Sequence, residues 1–177
     1  MASKQSIQED LKQSMLKKDE LRTGTLRMLL AAVSNKEKEK RYKASKAEPT
    51  LAEQELQAKS ELSLQEFQDA VSSEVKKRRE AIEGFEKGGR KEQAEKEKQE
   101  MELLFSYLPA QLSEDEIRQL VKDVVVSLRE IPRSGTKTED ISMKDIGRIM
   151  GVLVPQTKGK ADGALVSKIV KELLTSK

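Results

Sequence analysis

Histidine and cysteine are both missing from this sequence of 177 residues. Their absence excludes disulfides, thiolate nucleophiles, imidazole acid–base catalysis and zinc sites built from these two residue types. Tryptophan is missing too, and aromatic residues make up 3% of the chain, so side chains on which unpaired bases could stack are scarce. The sequence predicts no catalytic residue, no metal site and no cofactor.

Long apolar runs are also missing, since none approaches the roughly 18 residues expected of a membrane-spanning helix. The first residues, MASKQSIQEDLKQ, lack the apolar segment of a signal peptide. Their acidic residues, Glu9 and Asp10, are untypical of a transit peptide. We therefore expect a soluble, cytoplasmic protein with no membrane partner.

Charged residues and helical periodicity dominate what remains. Charged residues make up 37% of the chain, which is typical of long helices with solvated faces. Apolar residues recur every three or four positions, and no strand-like alternation extends beyond a few residues. The prediction is an all-α fold in two domains: a long-helix antiparallel array over residues 1–110 and a compact three-helix unit over residues 111–177.

Capping signals and glycine or proline breaks set the expected helix boundaries. Residues 43–62 carry Pro49 and scattered leucines, which indicates a linker or a weak helix. Met143 and Ile146 are expected to face the core, and Pro155 is expected to break the chain. The predicted helices cover about 4–18, 20–42, 64–87, 90–108, a segment opening at the Ser113 capping box, 142–153, and a last segment capped by Asp162.

The segment QTKGKADG, residues 156–163, raises the question of a phosphate-binding loop. A Walker A loop needs a glycine, four residues, and then Gly-Lys-Ser/Thr. Here Gly159-Lys160 is followed by Ala161 and the first glycine is missing, which excludes that motif. Gly159 can still adopt a left-handed conformation between Lys158 and Lys160, near a helix start whose amides can meet an anion. A phosphate contact and a plain interhelical turn both remain open.

Two segments carry local positive charge. Residues 143–177 hold seven basic and three acidic residues, giving +4, whereas the whole chain carries +3. Residues 76–91 again hold seven basic and three acidic residues. Solvated helix faces would explain both segments, but the scarcity of aromatics favours a folded, duplex-like RNA as any nucleic-acid partner. The second basic patch comprises Lys76, Lys77, Arg78, Arg79 and Arg90.

Gly147 and Gly151 lie four residues apart on one predicted helix. Close packing against another helix is the expected reason for this spacing. The alternative is that the two glycines let a nucleic-acid backbone approach.

Three stretches carry a family resemblance: LRTGTLRMLLAAVSNKEKEKR, VKKRREAIEGFEKGGRKEQAEKEKQEMELLFSYLPAQLSEDEI and MKDIGRIMGVLVPQTKGKADGALVSKIVKELL. Together they closely resemble the YqeY family, which is related to the C-terminal tail of the B subunit of glutamine-dependent tRNA amidotransferase. The resemblance covers most of the chain, although residues 43–62 and 131–141 match loosely. It implies two helical subdomains and a tail that holds the body of a tRNA. The family's functional region would map to Lys144, Arg148, Lys158, Gly159, Lys160 and Asp162.

Three functions are consistent with these observations. The first is a non-catalytic tRNA-binding accessory module. The second is a helical adaptor that docks on an aminoacyl-tRNA synthetase or an amidotransferase. The third is an accessory subunit that contributes to glutamine-dependent carbon–nitrogen ligase activity. The chain lacks an ammonia-releasing nucleophile system and a nucleotide site, so we expect no catalysis by the chain alone.

Overall fold

The computed structural model describes residues 3–130 and 141–175. Over these residues it contains eight α-helices, one short 3₁₀ helix and no strand, which confirms the all-α prediction. None of the described helices is long and apolar enough to cross a membrane. The helices are α1 (Lys4–Leu16), α2 (Glu20–Ala47), α3 (Glu53–Ser60), α4 (Leu64–Lys87), α5 (Lys91–Phe105), α6 (Glu114–Glu130), the 3₁₀ helix (Met143–Asp145), α7 (Ile146–Thr157) and α8 (Gly163–Thr175).

The chain divides into two compact units, Met1–Pro109 and Ala110–Lys177. Each unit has its own apolar core, formed where the apolar stripes of its helices meet. The core of the first unit includes Ile7, Leu26, Leu29, Val33, Phe67, Val71, Val75 and Leu104. The core of the second unit includes Ile117, Val121, Val124, Ile149, Leu153, Val166, Ile169 and Val170.

Short connections shape the first unit. α1 ends at Leu16 rather than at Lys18 as predicted, because Lys18 adopts a φ of 56° that a helix cannot continue. Asp19 then caps α2 by accepting the N–H of Arg22 at 3.0 Å. Gly89, with a φ of 71°, lies in the three-residue turn between α4 and α5, so these two helices form an antiparallel hairpin.

Polar contacts accompany the helical structure of residues 43–62, the segment that was predicted as a linker or a weak helix. α2 continues past the predicted end at Tyr42 to Ala47, and residues Glu53–Ser60 form α3. Ion pairs hold this region together: Arg41 Nη2 lies 2.6 Å from Glu53 Oε2, and Lys59 Nζ lies 2.6 Å from Glu48 Oε1. Because these contacts join charged residues distant in sequence, an apolar repeat could not predict them.

The start of α4 should make stability pH-dependent. Glu66 Oε2 accepts from Lys40 Nζ at 2.6 Å and from the Ser63 N–H at 2.7 Å, which lowers the pKa of Glu66 from 4.5 to about 2. A carboxylate with a depressed folded-state pKa contributes stability that is present above pH 4.5 and is lost as the pH falls towards 2. Screening by solvent reduces the effect, because the Glu66 side chain is 43% exposed.

The variant Glu66→Gln should therefore show a shallower loss of stability between about pH 4.5 and pH 2 than the parent chain. Urea unfolding followed by circular dichroism at several pH values measures this loss. Equal pH dependence in the two proteins would contradict the assigned role of Glu66.

The second unit corrects two expectations. Pro155 does not break the chain, because α7 runs to Thr157. Proline removes the N–H that would bond to the carbonyl of Gly151, and its ring crowds that carbonyl. Gly151 is exposed, so water can reach the unbonded oxygen. The N–H of Lys158 still donates to Val154 O at 3.0 Å and closes the last turn. Met143, expected to face the core, is 47% exposed. The sequence PRSGTKTED at 132–140 also predicts a loop, and these residues lie outside the described ones.

Candidate nucleic-acid interface

The turn between α7 and α8 has a fixed backbone. Gly159 adopts a φ of 74°, a left-handed conformation that favours glycine. The N–H groups of Lys160 and Ala161 both donate to Thr157 O at 2.9 Å. These two amides are therefore used inside the turn and are not available to an anion.

The same turn is bonded to the segment that precedes α6. The N–H of Leu112 donates to Lys160 O at 2.7 Å, and Gln111 Nε2 donates to Gly159 O at 2.9 Å. The side chains of Lys158 and Lys160 are exposed on this anchored backbone. The turn thus presents two cations from a backbone that is held on both sides.

Asp162 has a structural role at the start of α8. Its Oδ1 accepts the N–H of Ala164 at 2.8 Å, and its carbonyl accepts the N–H of Val166 at 2.9 Å. The carboxylate occupies the helix N-terminus, where an anion was expected to bind. Asp162 therefore caps α8, and the side chains of Lys158 and Lys160 lie exposed on either side of Gly159.

Two further cations lie at the other end of α7. Lys144, in the 3₁₀ helix, is exposed, and Arg148, in the first turn of α7, is half-buried. α7 has 12 residues and is about 18 Å long, so these cations and those of the turn mark its two ends. Within residues 3–130 and 141–175, Lys144, Arg148 and Lys160 form no ion pair with a carboxylate.

One acidic residue interrupts the basic sequence between Met143 and Lys160. It is Asp145, whose Oδ2 accepts the N–H of Ser142 at 3.1 Å in a capping box. Its carboxylate has a helix-capping role.

The expectation that Gly147 and Gly151 pack against another helix is wrong. Both are exposed, and a Cβ at either position would meet no atom within 4 Å. At about 100° per residue they lie on the side of α7 opposite the buried residues Ile149 and Leu153. The sequence carried a signal for this orientation: Gly147 and Gly151 each lie two residues from the apolar Ile149, and residues two apart lie on nearly opposite sides of a helix. We call this side the α7 outer face. It comprises the exposed residues Gly147, Gly151, Val154 and Pro155, the half-buried Arg148, and Lys144 of the preceding 3₁₀ helix.

The second basic patch is partly internal. Arg78 is 4% exposed, and its guanidinium lies 3.1 Å from Glu74 Oε2 and 3.2 Å from Glu100 Oε2. It was predicted as a surface residue, but position 78 shares the buried side of α4 with Val71 and Val75, and two buried carboxylates hold it there. Arg78 is therefore unavailable to a nucleic acid.

Acidic neighbours offset the rest of this patch. Lys77 Nζ lies 2.6 Å from Glu74 Oε1, and Lys76 Nζ lies 3.8 Å from Glu80 Oε1. Lys76, Lys77 and Arg90 are exposed, whereas Arg79 is half-buried. Lys76 and Lys77 of this patch lie beside carboxylates, in contrast to Lys144, Arg148 and Lys160 within the described residues. Over the described residues, no group of three or more acidic side chains is arranged to hold a metal ion.

Comparisons with known proteins point to one family. A family model described as Yqey-like protein matches residues 4–174. The chain is similar to altered inheritance of mitochondria protein 41, mitochondrial, from Eremothecium gossypii, at 36% identity over 59% of this chain and 48% of that protein. The protein of the same name from Lachancea thermotolerans is 32% identical over 71% of this chain and 59% of its own length. The chain thus spans about half the length of these two relatives.

A further similarity is to a tRNA-dependent enzyme. A subunit of the glutamyl-tRNA(Gln) amidotransferase from Methanobrevibacter smithii is 34% identical over 61 residues, which are 34% of this chain and 9% of that protein. The match therefore concerns a small part of a much longer protein.

Proposed function

This chain belongs to the YqeY family, and from that premise we propose that it is a non-catalytic tRNA-binding accessory module. The observation that carries the proposal is the set of cations at the two ends of α7, three of which lack a carboxylate partner within the described residues. The segment shared with an amidotransferase subunit supports tRNA as the class of partner.

The chemistry of the proposed contact is electrostatic. Lysine and arginine side chains that neutralise phosphates release condensed counterions, so affinity falls as salt rises. The amides of Lys160 and Ala161 are used within the turn, and Asp162 caps α8. Binding through the side chains of Lys158 and Lys160 therefore depends on the anchored backbone that presents them.

The variant Lys158→Ala/Lys160→Ala tests this contact. Fluorescence anisotropy with folded tRNA across a salt series should show weaker binding and a salt slope smaller by about 2, one for each lost phosphate contact. Lys76→Ala/Lys77→Ala is the matched control, since it removes the same charge from exposed lysines that have acidic neighbours. Unchanged affinity in the first variant would place the site elsewhere.

A second function is an adaptor that docks on an amidotransferase or a synthetase. The observation in its favour is apolar surface near the end of α1, where Met15 is 53% exposed and Leu16 is 70% exposed, with Met28 of α2 49% exposed. We expect Met15→Lys/Leu16→Lys to abolish co-purification with such an enzyme after nuclease treatment. Retention of the enzyme by this variant would contradict the adaptor role.

We propose a role in catalysis only for a complex of this chain with other subunits. An accessory contribution to glutamine-dependent carbon–nitrogen ligase activity would require partner subunits to supply the nucleophile and the nucleotide site.

A cytoplasmic location stays a prediction; the names of the two relatives quoted above place those proteins in mitochondria.

A further inference from the structure

The α7 outer face is a basic-ended surface without a partner in the second unit. Val154 is 47% exposed, and Gly147, Gly151 and Pro155 are also exposed. Lys144 and Arg148 lie at the start of this face, and Lys158 follows its end. Because both ends of this face carry cations, charge complementarity indicates that a polyanion binds it. The surface of that polyanion must allow close approach of a helix.

Packing within the second unit does not explain why residues 147 and 151 are glycines. Glycine in an exposed helix interior is destabilising relative to alanine, because its backbone loses more conformational freedom on folding. Neither Gly147 nor Gly151 has a positive φ, and neither has a neighbouring atom that a Cβ would meet. No neighbouring atom requires a missing side chain at these positions, and the same holds at Gly24 and Gly84. Gly147 and Gly151 differ from those two in lying together on one helix face that has cations at its ends.

We propose that the α7 outer face lies against the sugar–phosphate surface of double-helical RNA, with Gly147 and Gly151 at the closest approach. The inference rests on the proposed tRNA-binding function and adds the form of nucleic acid that this face recognises. Lys144 and Arg148 contact phosphates at one end of α7, and Lys158 and Lys160 contact them at the other. The helix backbone at Gly147 and Gly151 comes close to the riboses.

The dimensions of nucleic-acid grooves favour RNA duplex over DNA. The minor groove of A-form RNA is wide and shallow and displays 2′-hydroxyl groups, which suits a helix face that carries no side chain at Gly147 and Gly151. The minor groove of B-form DNA is about 6 Å wide, too narrow for a helix about 10–12 Å across. In the wider DNA major groove, recognition uses side chains that reach base edges, and these glycines have none.

The test replaces both glycines by an uncharged helix former in the full-length chain. Gly147→Gln/Gly151→Gln should raise the melting temperature, because glutamine is the better helix former. It should also weaken binding to a 16-base-pair RNA duplex, the probe, by about tenfold or more, since each 1.4 kcal/mol of lost contact is one factor of ten. The salt slope should change little, because the lysine and arginine contacts remain.

The control is Gly24→Gln/Gly84→Gln. These exposed glycines of α2 and α4 also have open space around the Cβ position, so the control should gain thermal stability and keep parental RNA affinity. A milder variant, Gly147→Ala/Gly151→Ala, repeats the test if the glutamines prevent folding. The parent should also bind the RNA duplex at least tenfold more tightly than a DNA duplex of the same sequence.

The outcomes separate the two proposals. If the parent binds neither tRNA nor the RNA duplex, the proposed function fails and this inference fails with it. If the parent binds tRNA but the glycine variants bind the RNA duplex as tightly as the parent, the function stands and the inference is overturned. Equal parental affinity for the DNA duplex would also overturn it.

Discussion

Replacing Lys144, Arg148, Lys158 and Lys160 together by alanine should remove most of the affinity for folded tRNA. If each of these cations neutralises one phosphate, the salt slope should fall by about 4, which makes this the largest binding effect that we expect. Arg148 lies in the first turn of α7 and the other three residues flank the helix, and the amides of Lys160 and Ala161 are used inside the adjoining turn. Anisotropy titrations with tRNA at several salt concentrations measure the loss.

A charge-matched variant controls for the net charge of the molecule. Lys76→Ala/Lys77→Ala/Lys87→Ala/Lys91→Ala also changes the net charge from +3 to −1, since 3 − 4 = −1. Its lysines lie in or beside the second basic patch, where Lys76 and Lys77 lie beside Glu80 and Glu74. We expect a small change in affinity for this control. Equal losses in the two variants would show that total charge, and not the position of the cations on α7, determines binding.

Replacing Arg78 by methionine should lower the free energy of unfolding by about 3–5 kcal/mol. The substitution removes the cation that lies between Glu74 and Glu100, at 3.1 Å and 3.2 Å, and leaves two buried carboxylates close together. Desolvation of an uncompensated charge is costly, and the bonds to the guanidinium are lost as well. Urea unfolding at pH 7, followed by circular dichroism, measures the change.

The matched control removes the whole cluster. Glu74→Leu/Arg78→Met/Glu100→Leu replaces the ion network with apolar side chains and should recover much of the stability, because no unpaired charge remains. The single variant isolates the cost of the unpaired carboxylates. A loss below about 1 kcal/mol in the single variant would mean that these groups are effectively solvated, as exposed ion pairs are.

Local signals predicted many of the helix starts. Ser63 and Ser113 each accept the N–H of a glutamate three residues later, at 3.2 and 3.3 Å, and Asp162 accepts the N–H of Ala164. Such caps depend on residues within one turn, so the sequence is enough to place them. The order around Ala47 and α3 could not be predicted in the same way, because pairs such as Arg41 and Glu53 lie 12 residues apart.

The candidate site was predictable in part. The left-handed conformation of Gly159 follows from residue type, and the exposure of Lys158 and Lys160 follows from charge. Two features depended on the fold. Arg78 is buried because two carboxylates accompany it into the hairpin, and the Asp162 carboxylate takes the helix end offered to an anion.

Competition between folded tRNA and duplex DNA for the 177-residue chain tests whether the cations at the ends of α7 bind folded RNA. Labelled tRNA is titrated with protein across a salt series, and unlabelled duplex DNA of similar length is added as the competitor. The expectation is a clear salt slope and preferential binding of tRNA, because cations at the ends of α7 meet phosphates of a folded RNA. Absence of binding, or equal competition by the DNA, would contradict it and leave the turn at Lys158 as a connection between two helices.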